Sequence, residues 1–443
     1  MSTVPAPALV DRYRTRAPRY TSYPTAPQFR PIAEDELREP LSRGEGPVAL
    51  YVHVPFCQRL CHYCGCHVEI RKNRDLGAEY VDSVLREAAL WRAYQQPGRK
   101  LGQLALGGGT PTFLRSEYLS RLVAGLAGLW PLGPGAELSI EVDPRTVSSE
   151  ELEALPKIGF TRVNLGVQDV DETVLAAVNR PQPFPLVGQA FSTLRGAGLA
   201  QVGVDLVYGL PAQTEESFGA TLDAVATLRP TRIALFQYAH VPWLKPQQKL
   251  IERFARPDSD GRTRMWALAR EKLGGAGYVE VGMDHFALPG DELVLALQNG
   301  SLQRNFEGYT THAGHDLLGL GVSAIGGFDG AYAQNTKDRE RYGARVGEGK
   351  LAVERGLLLT ADDIARRRVI MSLFCNFTVD LGDADYAEEL SRLERFVEDG
   401  LVTIDGSRVS VTPNGRFFIR NVCAVFDRYL EADVATRRYS ETA

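Results

Sequence analysis

From residue 48 onward, apolar positions fall into short β-rich runs separated by longer stretches of helical periodicity. Six runs predict strands: VALYVHV (48–54), QLAL (103–106), LSIEV (138–142), TRVNLGV (161–167), QVGVDLVYGL (201–210) and RIALFQY (232–238). Amphipathic segments at 78–94, 116–130, 214–228 and 262–277 predict helices between or after them. Alternation of this kind implies parallel β/α units. Six units fall short of the eight that close a barrel. The expected fold is therefore α/β, a partial (β/α)6 TIM-like barrel.

Both flanks break this pattern. Residues 1–31 hold five arginines (12, 14, 16, 19 and 30) against one acid, Asp11, and YTSYPTAPQFRP favours extended backbone because proline excludes helix. Composition alone describes a solvated arm, whereas the interleaved Tyr20, Tyr23 and Phe29 argue for docking. Residues 278–335 are rich in glycine and aromatics and read as loops covering a site. After about 358, TADDIARRRVIMSLF carries a Thr/Asp helix start. ELSRLERFVEDGLVTIDGSRVSV then reads as helix, strand, Asp-Gly turn, strand. The expected division is an arm (1–31), a catalytic barrel with covering loops (32–357) and a mostly helical, winged-helix-like domain (358–443).

Composition narrows the function classes. The chain carries 50 basic and 55 acidic side chains, a net charge of −5, which disfavours non-specific nucleic-acid binding. No apolar run approaches the ~18–20 residues of a membrane span, and the first residues lack the apolar stretch of a secretory signal. A cytoplasmic monomer is the expectation. Four of the six cysteines fall within ten residues, as CQRLCHYCGC (57–66), and the others are Cys375 and Cys423. This is not a disulfide framework. Clustered thiols point to a metal or to redox chemistry, and Cys375 and Cys423 read as buried apolar groups.

Special residues recur at the carboxyl ends of the predicted strands, where β/α barrels place their active sites. These are Cys57, GGGTPT (107–112), Glu141 with Asp143, Gln168 with Asp169, Asp205, and Tyr238-Ala239-His240. Taken singly, Glu141, Gln168 and Asp205 suit salt bridges or caps, and GGGTPT suits a tight turn. Taken in series, they mark one site. The C-x3-C-x2-C spacing suits three thiolates on an iron–sulfur cube with one iron left open. A structural zinc stays open as the alternative. Neither a metalloprotease helix motif nor a nucleophile elbow occurs, so hydrolase readings lack support.

On these residues the chain resembles the radical S-adenosylmethionine (SAM) superfamily, and within it the oxygen-independent coproporphyrinogen III oxidase family. The blocks that carry the likeness include RYTSYPTA (19–26), YVHVPFC (51–57), CGC (64–66), EVDPR (141–145), GVQD (166–169), NRPQ (179–182), DLVYGLP (205–211), GMDHFA (282–287) and RNFEGYTT (304–311). The resemblance implies that Cys57, Cys61 and Cys64 ligate a 4Fe–4S cluster whose open iron takes SAM, with Cys66 a non-ligand beside it. A 5′-deoxyadenosyl radical would then take a hydrogen from a propionate of coproporphyrinogen III, CO2 would leave, and a vinyl group would remain. The resemblance further implies two SAM molecules. Tyr51, Gly108, Glu141 and Ile325 would contact the first, and Tyr63, Gly109, Thr110, Gln168, Arg180, Asp205 and Ala239 the second. An electron donor and an electron acceptor are implied partners. Arg14, Arg16 or Arg19 would suit the substrate carboxylates. Glu307 departs from the pattern, standing where an amide is expected. The rivals are relatives that bind and transfer haem or modify porphyrins otherwise, and, outside the superfamily, a zinc-stabilised interaction protein.

Overall fold

A computed structural model describes residues 5–312, 314–430, 439 and 442. The outermost ends of the expected arm and of the last domain lie outside the described residues. All six predicted strands form, as β1 (Val48–Val54), β2 (Leu101–Gly108), β3 (Leu132–Val142), β4 (Arg162–Gln168), β5 (Gln201–Tyr208) and β6 (Arg232–Gln237). They lie side by side in chain order and pair in parallel. β1 is buried along almost its whole length, as a strand covered on both faces must be.

The four predicted helices form within a few residues of expectation, at Leu76–Ala93, Ser116–Leu129, Glu215–Thr227 and Ser259–Gly275. Two crossover helices, Ser149–Ile158 and Phe184–Gly196, complete the layer. Local chemistry explains the first of these. Ser148 caps it by accepting from the Glu151 N–H, Glu151 reaches back to the Ser148 N–H, and Gly159 ends it at φ 114°.

The largest correction concerns residues 278–335. They are not mainly loops: they extend the barrel sheet on both sides. β7 (Val279–Val281) and β8 (His285–Ala287) continue it beyond β6, with β8 antiparallel to β6. β9 (Asp316–Leu320) pairs in parallel with β1, and β10 (Ile325–Phe328), β11 (Ala331–Asn335) and β12 (Val353–Leu358) follow antiparallel. The glycines that suggested loops are there because backbones approach closely. A Cβ on Gly319 would meet the Ile325 backbone at 2.6 Å. The sheet ends on free edges, so the barrel stays open.

Among the described residues two large hydrophobic cores and a smaller cluster result. The larger fills the space between the barrel sheet and its helices. The second joins the carboxyl-terminal helices, the Val279–Thr310 region and the arm. In the carboxyl-terminal part, helices Ala361–Asn376 and Ala387–Glu398 pack beside a three-stranded sheet of Thr378–Asp380, Arg408–Val411 and Val402–Asp405. The helix–strand–turn–strand order is the one expected. The arm docks rather than floats. Tyr13, Tyr20 and Tyr23 are buried, Tyr13 stacks on Phe396 at 4.6 Å, and the Tyr20 hydroxyl donates to Asp427 at 3.1 Å. The arm is also less extended than expected, since Pro7–Arg12 is helical.

Candidate functional site

The open barrel encloses a cavity of about 730 Å³ whose wall includes Tyr51, His53, Glu141, Asp205, Glu307 and Ile325. Its volume is that of a site for a drug-sized ligand. The floor is tied by charge. Glu137 accepts from Arg162 at 2.9 Å, and Arg162 and Arg232 each reach Glu292, at 2.8 and 2.9 Å. Burial and Arg162 set Glu137 in opposite directions, and the arginine wins, lowering it to about 2.

Three acids on the wall behave differently. Glu141 opens on the cavity, whose enclosing walls raise it, and its carboxylate accepts from the Gly108 N–H at 3.3 Å. Burial, then the charge of Glu141, pushes Asp205 up to about 8. Glu307 opens on the cavity yet is enclosed by its walls, and this enclosure, then the charges of Glu137 and Glu141, pushes it up to about 8. Enclosure and crowding disfavour the charged form of a carboxyl group, and a bound cation offsets both.

Above this cavity the strand ends build the cysteine loop. Gly108 sits at φ 108°, where a Cβ would strike the His53 ring at 2.5 Å, so only glycine fits. This lets the next residues fold over β1: Gly109 N–H bonds to Val54 C=O and Thr110 N–H to Phe56 C=O, both at 2.8 Å. The Thr110 hydroxyl thereby lies 3.4 Å from Cys57 Sγ. Two guanidiniums point at Cys61 Sγ, Arg145 at 3.4 Å and Arg180 at 3.5 Å, and both also hold Asp143. Burial pushes Cys57 up to about 12, whereas the hydrogen-bonded Cys66 thiol lowers Cys64 to about 7. Burial, then the nearby charge of Arg253, pushes His62 below its ordinary value.

The remaining expected residues lie beside this loop. Gln248 donates to the carbonyls of Tyr63 at 3.0 Å and Ala239 at 3.2 Å, joining two residues far apart in sequence. The Tyr63 ring packs on Val174, Val178, Val207 and Leu210. Gln168 adopts φ 70°, next to Arg180, whose Nη2 donates to Gly166 C=O. Ala239 lines a second cavity of about 550 Å³ with Arg16, Arg19 and Arg256. Arg14 takes no part there and pairs with Asp11 at 2.7 Å.

A model of the radical SAM superfamily matches residues 51–225, and one of the HemN C-terminal domain matches residues 359–418. The oxygen-independent coproporphyrinogen III oxidase of Escherichia coli is 41% identical over 445 residues, covering 98% of this chain and 97% of the relative. Those of Pseudomonas aeruginosa and Synechocystis are 40% and 38% identical, each covering at least 95% of both chains. The solved structure of coproporphyrinogen III oxidase (HemN) from Escherichia coli superposes with a TM-score of 0.91 at 40% identity, covering 97% of this chain and all of that one. The chain belongs to the oxygen-independent coproporphyrinogen III oxidase family. It is a radical SAM oxidoreductase that uses a 4Fe–4S cluster and SAM.

The loop's chemistry fits such a cluster. Three thiols lie on one loop, and two guanidiniums face Cys61 Sγ, where they would offset an anionic cluster.

Sequence reasoning missed several groups in this site. His53 bonds through Nδ1 to the Tyr51 hydroxyl at 3.1 Å and through Nε2 to the His67 carbonyl at 2.9 Å, and burial lowers it to about 4. The alternation of strand side chains carried that signal, because Tyr51 and His53 share a face. The clamp of Lys245, Gln247 and Gln248 over the cysteine loop left no such trace.

Proposed function

We propose that this chain oxidatively decarboxylates two propionates of coproporphyrinogen III to vinyl groups, giving protoporphyrinogen IX without oxygen. The observation that carries the reading is the gathering of Tyr51, Glu141, Asp205 and Ile325 on one cavity beneath the cysteine loop. In this reading Cys57, Cys61 and Cys64 hold the cluster, which with SAM supplies the radical that takes the propionate hydrogen. The protein's own part is to bind, orient and shield. Each conversion removes one hydrogen atom, one CO2 and one electron from a propionate carboxylate, and the electron passes to an acceptor.

Glu141 and Asp205 are suited to cationic ligands, since a sulfonium or ammonium group would favour the carboxylate form that enclosure disfavours. Two separate cation-seeking acids support two SAM molecules. Tyr51, Gly108, Glu141 and Ile325 would serve the first, and Tyr63, Gly109, Thr110, Gln168, Arg180, Asp205 and Ala239 the second. Arg16 and Arg19 remain suited to substrate carboxylates, whereas Arg14 is engaged elsewhere. An electron donor and an acceptor act as partners of a cytoplasmic monomer divided at about residues 31 and 357. Among the described residues no helix is long and apolar enough to cross a membrane.

The test is a product-mass assay on the anaerobically reconstituted protein with SAM, reductant, cell extract and coproporphyrinogen III. Loss of two CO2 and four hydrogens is expected. An unchanged tetrapyrrole beside 5′-deoxyadenosine would reject this substrate while keeping the radical chemistry.

A further inference from the structure

The chain is acidic overall, yet the two segments that form and clamp the cysteine loop are basic. Residues 57–74 hold Arg59, Arg71, Lys72 and Arg74 against Glu69, and residues 241–256 hold Lys245, Lys249, Arg253 and Arg256 against Glu252. Both acids are already engaged, Glu69 by Arg71 at 2.9 Å and Arg339 at 3.2 Å, and Glu252 by His240 at 3.0 Å. Arg59, Lys249 and Arg253 are exposed, and Arg253 is near enough for its charge to act on His62, which follows Cys61 in sequence. Leu250, next to Lys249 in sequence, is 54% exposed. None of Arg59, Lys249, Leu250 and Arg253 lines either cavity, so substrate binding does not account for their exposure.

This face is tied directly to the cysteines. From the same loop, Lys245 donates to the Cys66 carbonyl at 2.6 Å, Gln247 to Cys64 at 2.8 Å and Gln248 to Tyr63 at 3.0 Å. A body seated on Lys249–Arg253 therefore rests one layer from the cluster-holding loop. An apolar centre with a charged rim is the anatomy of a protein interface. A contact carried by surface charge forms fast and releases readily, which suits a carrier that must leave after each delivery.

We propose that the Lys249–Arg253 face, on which Leu250 is exposed, docks an acidic one-electron carrier protein that reduces the cluster. This rests on Cys57, Cys61 and Cys64 holding that cluster. The reduced carrier gives up one electron, the cluster gains it, and no atom changes hands.

The test uses the reconstituted holoenzyme and, as probe, an acidic FMN-bearing flavodoxin. Binding is titrated at low and high ionic strength, and cluster reduction is followed by electron paramagnetic resonance. For the wild type, tight binding at low salt that weakens with added salt is expected. The Lys249→Glu/Arg253→Glu variant should bind roughly tenfold or more weakly, and flavodoxin should reduce its cluster correspondingly more slowly. Its iron content and dithionite-driven 5′-deoxyadenosine formation should match wild type. Flavodoxin binding and reduction unchanged in the variant, or wild-type binding insensitive to salt, would overturn the docking surface alone. Tighter binding of duplex DNA or anionic vesicles than of flavodoxin would also overturn it. Failure of dithionite-driven SAM cleavage in the wild type would overturn the cluster assignment, and this proposal with it.

Discussion

Two sets of cysteines in this chain have the same side chain and opposite surroundings. Cys57, Cys61 and Cys64 sit on a loop at the mouth of a polar cavity, faced by guanidiniums and a hydroxyl. Cys375 and Cys423 are fully buried in the second core, where burial pushes Cys375 up to about 12. Reactivity follows the environment. The first region leaves its groups incompletely satisfied so that ligands can complete them; the second is closed by its own aromatic packing. The same contrast separates Glu137, whose arginine partner keeps it ionised, from Glu307, which the charges of Glu137 and Glu141 push up.

The largest effect should come from breaking the first region. Cys57→Ser, Cys61→Ser or Cys64→Ser should each abolish turnover and remove most cluster iron, read by iron and sulfide analysis; near-normal iron in all three would remove the contrast. In the second region, Tyr20→Ala should leave iron content alone but cost roughly 3–5 kcal/mol, as for large aromatic truncations in a core, measured by urea unfolding. An unchanged unfolding midpoint would mean that the arm is only a lid. Because its tyrosines belong to that core, deleting residues 1–30 should destabilise the carboxyl-terminal part as well as stop turnover. Cys375→Ser places a hydroxyl in the same core and should cost about 1–3 kcal/mol if it goes unpaired, again with cluster content intact.

The smallest effect sharpens the contrast between acids. Glu307 ionises near its ordinary value when unfolded but at about 8 when folded, so between those values the folded chain binds more protons than the unfolded one. Its contribution to stability is therefore present at low pH and is lost as pH rises toward 8. Glu307→Gln should flatten the fall in melting temperature between about pH 5 and 8 and leave the low-pH value nearly unchanged. Parallel curves for the two proteins would show that Glu307 is solvated like a surface acid.

The six barrel strands were legible because their runs of branched and aromatic residues hold period and length together, and Tyr51, Glu141 and Asp205 were legible because barrel chemistry sits at strand ends. The strands β9 to β11 were not, since glycine marks equally a loop and a strand pressed against another backbone, and Gly319 is the second. Nor did sequence alone decide the arm: its arginines spoke for solvent and its tyrosines for a core. The tertiary structure settled it by bringing Phe374, Phe396 and Asp427 to them across more than 350 residues. By itself the sequence determined the barrel units, the thiol spacing and the family, each of which depends on neighbours along the chain. Only the tertiary structure decided which acids share a cavity, that Arg145 and Arg180 converge on Cys61, and that Gln248 links Tyr63 to Ala239. Those relations depend on distances through space, which charge and burial feel and chain order does not record.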